Sequence, residues 1–407
     1  MAVEDGAAVA GAPIYAARFL DSIVRSIEGV RARLDLADQA LPSVEDRELA
    51  LHILNFALKV EAAWPSARDV LSILAPKMEQ AGHRDDWSPF LERGIEESLS
   101  REDRATEAQL RFYLGMIHEL RARFNQADAE FAASAACYAE IGESRKQARS
   151  LSRRAGIARL QRRYDAAQQW VHEALSLLPD DAPERANCYF AQGVIDFDHR
   201  RWREAADALG RALALWEAQN NKHMIALSLR NLGPALQWLR EYDAAIRIYE
   251  RALALFEQSP DPVNQAVTRM NLGIVYSLQG KGEAALALYQ QAEPVFRRMQ
   301  DELNMARIYT NLGIEYRQLG QLEAAEASNR QAIPLWQKLN NVRSELNVMD
   351  ELGLTYLAQG LAGQAIATFE DALRRLETIA GTPGADRLLS LLSQHLEQAR
   401  SNSGPFF

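Results

Sequence analysis

One short string, repeated at a fixed interval, constrains this chain more than any other feature. Asn231-Leu232-Gly233 recurs as Asn271-Leu272-Gly273 and Asn311-Leu312-Gly313, then as Glu351-Leu352-Gly353, 40 residues apart each time. Two more landmarks keep the step: Gly280, Gly320 and Gly360 lie seven residues after the first glycine, and Ala245, Ala285, Ala325 and Ala365 lie twelve after it. A fixed period of this size is the mark of a stacked repeat array, so a length of 407 residues does not mean two or three unrelated domains. Run backwards, the same ruler places Gly193, Ala155, Gly115 and Ala75 in the glycine role, with bulky Trp87 where the first unit should carry a small alanine. The count is eight units, the first degenerate.

Each unit reads as two helices. Ala226–Leu239 has apolar residues at helical spacing, a Gly or Arg marks the turn, and a second helix runs from about Asp243 to Gln258. Ser259-Pro260-Asp261-Pro262, Asn220-Asn221 and Asn340-Asn341 read as helix stops. No stretch alternates with period two long enough for a strand. A lone hairpin cannot bury its apolar face, so the units must stack, with Gly and Ala where helices cross and aromatics beside them. The fold class is therefore all-α. Pro294 and Pro334 fall inside second helices and predict kinks there.

The pattern Leu232-Gly233, a later aromatic (Tyr276, Tyr316, Tyr356), Ala, then Tyr249, Tyr289 or Phe369, then Ala252, Ala292, Ala332 or Ala372 resembles the tetratricopeptide repeat. The usual repeat is 34 residues, and the longer period here adds about a turn and a half, assigned mostly to the second helix. This form is similar to the arrays of kinesin light chains, Pins-type adaptors and bacterial signalling regulators. The resemblance implies a right-handed α-solenoid whose first helices line a concave groove, and in similar adaptors an asparagine row there holds the ligand's main chain.

The expected organisation is a disordered start (1–13), an N-terminal helical module (14–64), the array (65–380), a capping helix (381–400) and a loose tail (401–407) ending in Phe406-Phe407. Phe19, Leu20, Ile23, Val24, Ile27 and Val30 would form the buried side of the first helix, and Leu49, Ile53, Phe56 and Val60 that of the second. The module is either a cap or an effector.

Chemistry is sparse. There is no phosphate-binding loop, HExxH or dinucleotide fingerprint. Seven histidines are scattered, and Asp196-Phe197-Asp198-His199, the one cluster of metal-ligand types, reads as a loop-edge hydrogen-bonding group. Cys137 and Cys188 are too few for a disulfide framework and read as small core residues, which suits a reducing, cytoplasmic setting. No apolar run approaches the ~20 residues that span a bilayer, and Met1-Ala-Val-Glu-Asp-Gly lacks a secretory signal's basic start. A net charge of −9 argues against a nucleic-acid coat. The expectation is a non-enzyme with no cofactor or metal.

Helical geometry, at 100° per residue, puts positions six, three and two before each glycine, and one, four and five after it, opposite the packing stripe. Three features lie there. Asn231, Asn271 and Asn311 form a row, with Asn187 and Asn347 on the same face; the amides either meet a peptide backbone or bond neighbouring hairpins. Leu227, Pro234, Trp238, Val267, Met270, Ile274 and Leu278 form an apolar patch, either internal packing or an anchor near Trp238 and Ile274. Finally, Arg145–Arg163 carries eight basic residues and no acid; Arg149, Arg153 and Arg159 point inward, joined by Arg230, Arg307 and Arg317. This is either a solvated face or a recruiter of acidic partners. Arg154 stands at an apolar position and predicts poor packing.

The leading function is an adaptor holding a protein or peptide segment in the groove, with a second copy of the chain as a further partner. Its rival is a regulator whose superhelix changes shape when a peptide binds. A sensor arm for a signalling ATPase on another chain ranks third.

Overall fold

The computed structural model describes residues 7–36, 43–80, 84–258 and 261–402. Among them every regular element is helical, and no helix is long and apolar enough to cross a membrane. Internal contacts divide the chain into two compact units, one ending at His199 and the other beginning at Arg200.

The first unit contains α1 (Ala7–Leu36), α2 (Val44–Ala57), α3 (Trp64–Gln80), α4 (Arg84–Ser100), α5 (Arg104–Leu120), α6 (Phe124–Glu140), α7 (Ser144–Leu160), α8 (Tyr164–Ser176) and α9 (Arg185–Asp198). The second contains α10 (Trp202–Ala218), α11 (Lys222–Trp238), α12 (Tyr242–Glu257), α13 (Pro262–Leu278), α14 (Gly282–Arg298), α15 (Glu302–Gln318), α16 (Leu322–Lys338), α17 (Val342–Ala358), α18 (Ala362–Leu376) and α19 (Ala385–Asn402). From α13 to α17 each helix has 17 residues, so first and second helices of a hairpin are equal in length and the second is not the longer.

The turns explain the equality. Residues with positive φ close helices in three runs of 20-residue steps: Glu102, Ala122, Gly142 and Arg162; Arg200, Asn220 and Arg240; and Gly280, Gln300, Gly320, Asn340 and Gly360. The next residue's N–H returns to a carbonyl of the last helical turn, as in Glu241 to Leu236 (2.9 Å) and Leu361 to Tyr356 (2.8 Å), the bond of a Schellman stop. Asn221, Asp261, Asp301 and Asn341 then start the next helix, each side chain accepting from the N–H three residues on. In Asn220-Asn221 and Asn340-Asn341, read as stops, the first asparagine stops one helix and the second starts another. Ser259-Pro260 lies outside the described residues.

Packing follows the glycine-aromatic pairs. A Cβ on Gly115, Gly233, Gly273 or Gly353 would collide with the ring of Phe131, Tyr249, Tyr289 or Phe369 respectively. All four rings are essentially buried. Arg154 does not disturb its hairpin: it pairs with Asp128 (2.8 Å) and lies 3.9 Å from the Trp170 ring centroid. Trp87 is fully buried, and α14 and α16 run unbroken through Pro294 and Pro334.

At the N-terminus α1 begins at Ala7, so residues 7–13, expected to be disordered, are helical; residues 1–6 lie outside the described residues. Ile23, Ile27, Val30 and Leu34 are buried, whereas Phe19 and Leu20 are exposed. In α2 the buried side is Ala50, Leu54 and Ala57, one position round from the expected stripe, and Phe56 is exposed. Small Ala50 and Ala57 admit a close approach that a residue-size pattern overlooks. At the other end α19 covers the last hairpin with Leu388, Leu392 and Leu396, while Phe406-Phe407 lies outside the described residues.

Candidate functional site

In the second unit α11 touches α13, α13 touches α15, and α15 touches α17; the second helices α12, α14, α16 and α18 make no comparable contacts with one another. The first helices are thus the closer-spaced layer, and their free face is the inner one. In the first unit α7 and α9 stand in the same relation.

The close spacing buries part of what the sequence assigned to an open groove. Met270, three before its glycine, is 1% exposed, and with half-buried Val267 and Ile274 it belongs to a core cluster reaching Ala306 and Tyr309. Of the apolar patch, Met270 is packing between hairpins, while Leu227, Pro234, Val267 and Ile274 are half-buried. Trp238 and Leu278 stay open, at 59% and 52% exposure, and Trp238 stacks face to face on Trp202 at 5.1 Å.

The asparagine row splits. Asn231 donates its amide to the carbonyl of Leu227, one turn back in its own helix (2.8 Å). Asn271 and Asn311, half-buried, and Asn347, exposed, have no side-chain hydrogen-bond partner among the described residues. Asn187 is half-buried and likewise unpartnered in its side chain among the described residues.

The arginines split too. Arg153 pairs with Glu119 (3.4 Å), Arg159 with Asp198 (2.9 Å) and Arg317 with Glu351 (2.8 Å), each bridging first helices of adjacent hairpins. Arg230 donates to Asn264, whose amide holds the N-cap Asp261 (2.6 Å), so it braces the start of α13. Much of the basic run is paired from a neighbouring helix, Arg145 by Glu184 and Arg154 and Arg163 by Asp128, while Lys146 pairs locally with Glu143, three residues before it. Arg149 and Arg307 are accessible to water, yet no carboxylate pairs with either among the described residues. Desolvation by the surrounding protein lowers the pKa of both, and of Arg230.

Gln192 donates to Asp196 (2.9 Å), Asp198 holds Arg159, and the His199 ring meets Tyr164 edge-on at 4.6 Å. No group of three or more potential metal ligands gathers among the described residues. Cys137 and Cys188 are buried, and desolvation raises both thiol pKa values. Sequence reasoning missed the contribution of second helices: Tyr138 of α6 comes to the same recess as Arg149, a meeting visible only once the hairpins are stacked.

The tetratricopeptide repeat family model matches residues 224–298 and 303–378. No curated protein matches the sequence. Among solved structures, a signal transduction ATPase with numerous domains from Pyrococcus horikoshii, with a tetratricopeptide repeat sensor, aligns at TM-score 0.62 and 15% identity. The alignment covers 88% of this chain and 56% of that one, so this chain spans little more than half of that protein. A Rap protein complexed with competence and sporulation factor aligns at 0.54 and 15% identity, over 93% of this chain and 99% of that one. The apo form of RapI aligns at 0.52 and 18% identity, over 67% and 99%. These likenesses establish the fold, an all-α repeat solenoid.

Proposed function

We propose that this chain, a tetratricopeptide-repeat protein, is a non-catalytic scaffold that holds an extended protein or peptide segment against the inner face of its first helices. The observation that carries the reading is the set of unspent amides, Asn271, Asn311 and Asn347, at one hairpin per step along the second unit. An amide offers a donor and an acceptor, so a row of them recognises a peptide main chain whatever its side chains. Arg307, without a carboxylate partner among the described residues, adds attraction for an acidic segment, and Trp238 offers an apolar contact. The Rap protein of similar fold is complexed with competence and sporulation factor, which supports a ligand held by an array of this kind.

The test is capture from source lysate by the full chain and by its Asn271→Ala/Asn311→Ala/Asn347→Ala variant, read by mass spectrometry. A protein retained by wild type and depleted at least tenfold on the variant is the expected result. Equal retention by both would sink the amide mechanism.

A second reading, a regulator that changes shape on binding, is favoured by one contact. Gly313 faces the buried amide of Asn329 where the other hairpins of its stack have a ring, which makes that interface the softest candidate for movement. A ligand-dependent fall in radius of gyration, measured by X-ray scattering on the captured complex, is its test; no change rules it out.

A further inference from the structure

We propose that the recess where α5, α6 and α7 meet is a subsite for a carboxylate carried beside an apolar or aromatic side chain. The inference deepens the peptide-scaffold reading and rests on it, adding a binding position within the first unit. The recess encloses about 330 Å³ and is lined by Gln109, Phe112, Tyr113, Tyr138, Lys146 and Arg149. That lining supplies two cations, two phenols, an amide and the Phe112 ring, and no carboxylate.

Arg149 dominates the chemistry of the recess. Its guanidinium carbon lies 4.2 Å from the Phe112 ring centroid, and Tyr113 lines the recess beside it. Stacking on a ring holds the planar fork in one orientation, which suits bidentate capture of a carboxylate. Along α7, Arg153, Arg154 and Arg159 each have an acid at 3.4 Å or closer, yet Arg149 has none among the described residues. No carboxylate is among the groups acting on it, and Arg153 repels it. Arg149 is exposed and has no counter-ion among the described residues, so an incoming carboxylate meets a cation that no acid of the protein already neutralises. Lys146 stands 5.8 Å over the Tyr138 ring and is partly balanced by Glu143 at 3.6 Å. Burial pushes the Tyr138 phenol up to about 12, so at neutral pH it keeps its proton and is a donor. The aromatic walls leave room for an apolar group beside the acid.

The experiment titrates the full chain with four small probes, followed by saturation-transfer NMR. Acetyl-Phe-Glu-amide carries a side-chain carboxylate and acetyl-Phe a chain-terminal one. Acetyl-Phe-Gln-amide and acetyl-Phe-amide are their neutral counterparts. The expected result is that at least one acid binds tenfold or more tightly than its neutral partner, and which acid does so names the source of the carboxylate. Arg149→Gln should remove that preference, while Arg162→Gln, changed at an exposed turn, should keep it. Tyr138→Phe, which preserves packing, should weaken the acid several-fold and serves if Arg149→Gln unfolds early. Equal binding of acid and amide, an acid preference that survives in Arg149→Gln, or acid binding as tight in Tyr138→Phe as in wild type would overturn the proposal. The Asn271→Ala/Asn311→Ala/Asn347→Ala variant, altered only in the second unit, should bind the probes as wild type does, so failure of the amide mechanism is read separately.

Discussion

Asn329 lies against Gly313 where Tyr249, Tyr289 and Phe369 lie against Gly233, Gly273 and Gly353. The amide is fully buried, its Oδ1 has no partner among the described residues, and its Nδ2 reaches Thr355 Oγ1 only at 3.5 Å. A buried acceptor left unpaired costs about 1–3 kcal/mol. Asn329→Leu, similar in volume and without polar atoms, should raise the unfolding free energy of the full chain by roughly that amount. The check is a urea titration followed by circular dichroism. A lowered midpoint would mean that the amide is hydrated or bonded in solution.

Glycines of this chain should respond to alanine with opposite signs. A Cβ on Gly273 would stand 2.4 Å from Cε1 of Tyr289, itself fixed in the core, so Gly273→Ala must displace a ring and should cost about 1–3 kcal/mol. Gly156, inside α7, has nothing within 4 Å of the corresponding point. Gly156→Ala should stabilise by about 0.5–1 kcal/mol, the ordinary helix-interior difference. Thermal melts of the two variants side by side give the comparison, and melting shifts of the same sign would refute it.

The turn at Arg240 should gain from the reverse change. Its φ is 61°, a region that costs a residue with a Cβ about 1–2 kcal/mol and glycine almost nothing. Gly280, Gly320 and Gly360 occupy the same place one, two and three repeats later. Arg240→Gly should therefore gain about 1 kcal/mol, after subtracting the extra freedom of glycine in the unfolded chain. A drop in melting temperature would show that the arginine side chain contributes something that the turn geometry does not reveal.

The repeat, the hairpins and the glycine-ring contacts were legible because each is a local pattern multiplied by a fixed step. What happens between hairpins was not. Whether Asn231 faces a ligand or its own helix is decided by a rotamer, and it bonds Leu227. The basic stretch from Arg145 to Arg163 looks uncompensated in one dimension because Glu119, Asp128, Glu184 and Asp198, which compensate it, stand in neighbouring helices. Met270 could be read as packing or as an anchor because a single helix has two faces, and the closeness of α13 to α11 and α15 decides for packing. Arg149 shares a recess with Phe112 and Tyr138, which come from two other helices.

His118, near the end of α5, should make stability fall on mild acidification. The ring is 7% exposed with Nδ1 unpartnered among the described residues. Desolvation lowers its pKa, Arg123 and Arg121 act in the same direction, and Glu130 and Glu92 oppose it. A base held below its ordinary value binds its proton more weakly in the fold than in the unfolded chain, so the unfolded state takes up the proton first. The contribution of His118 is therefore complete above the unfolded value near 6.5 and is lost as pH falls through the folded value. Urea midpoints between pH 7.5 and pH 5.5 should decline in wild type. His118→Phe keeps a ring of similar size without a titrating group, and its midpoint should decline less over the same interval. Parallel declines would assign the acid sensitivity to other groups and leave His118 a packing residue alone.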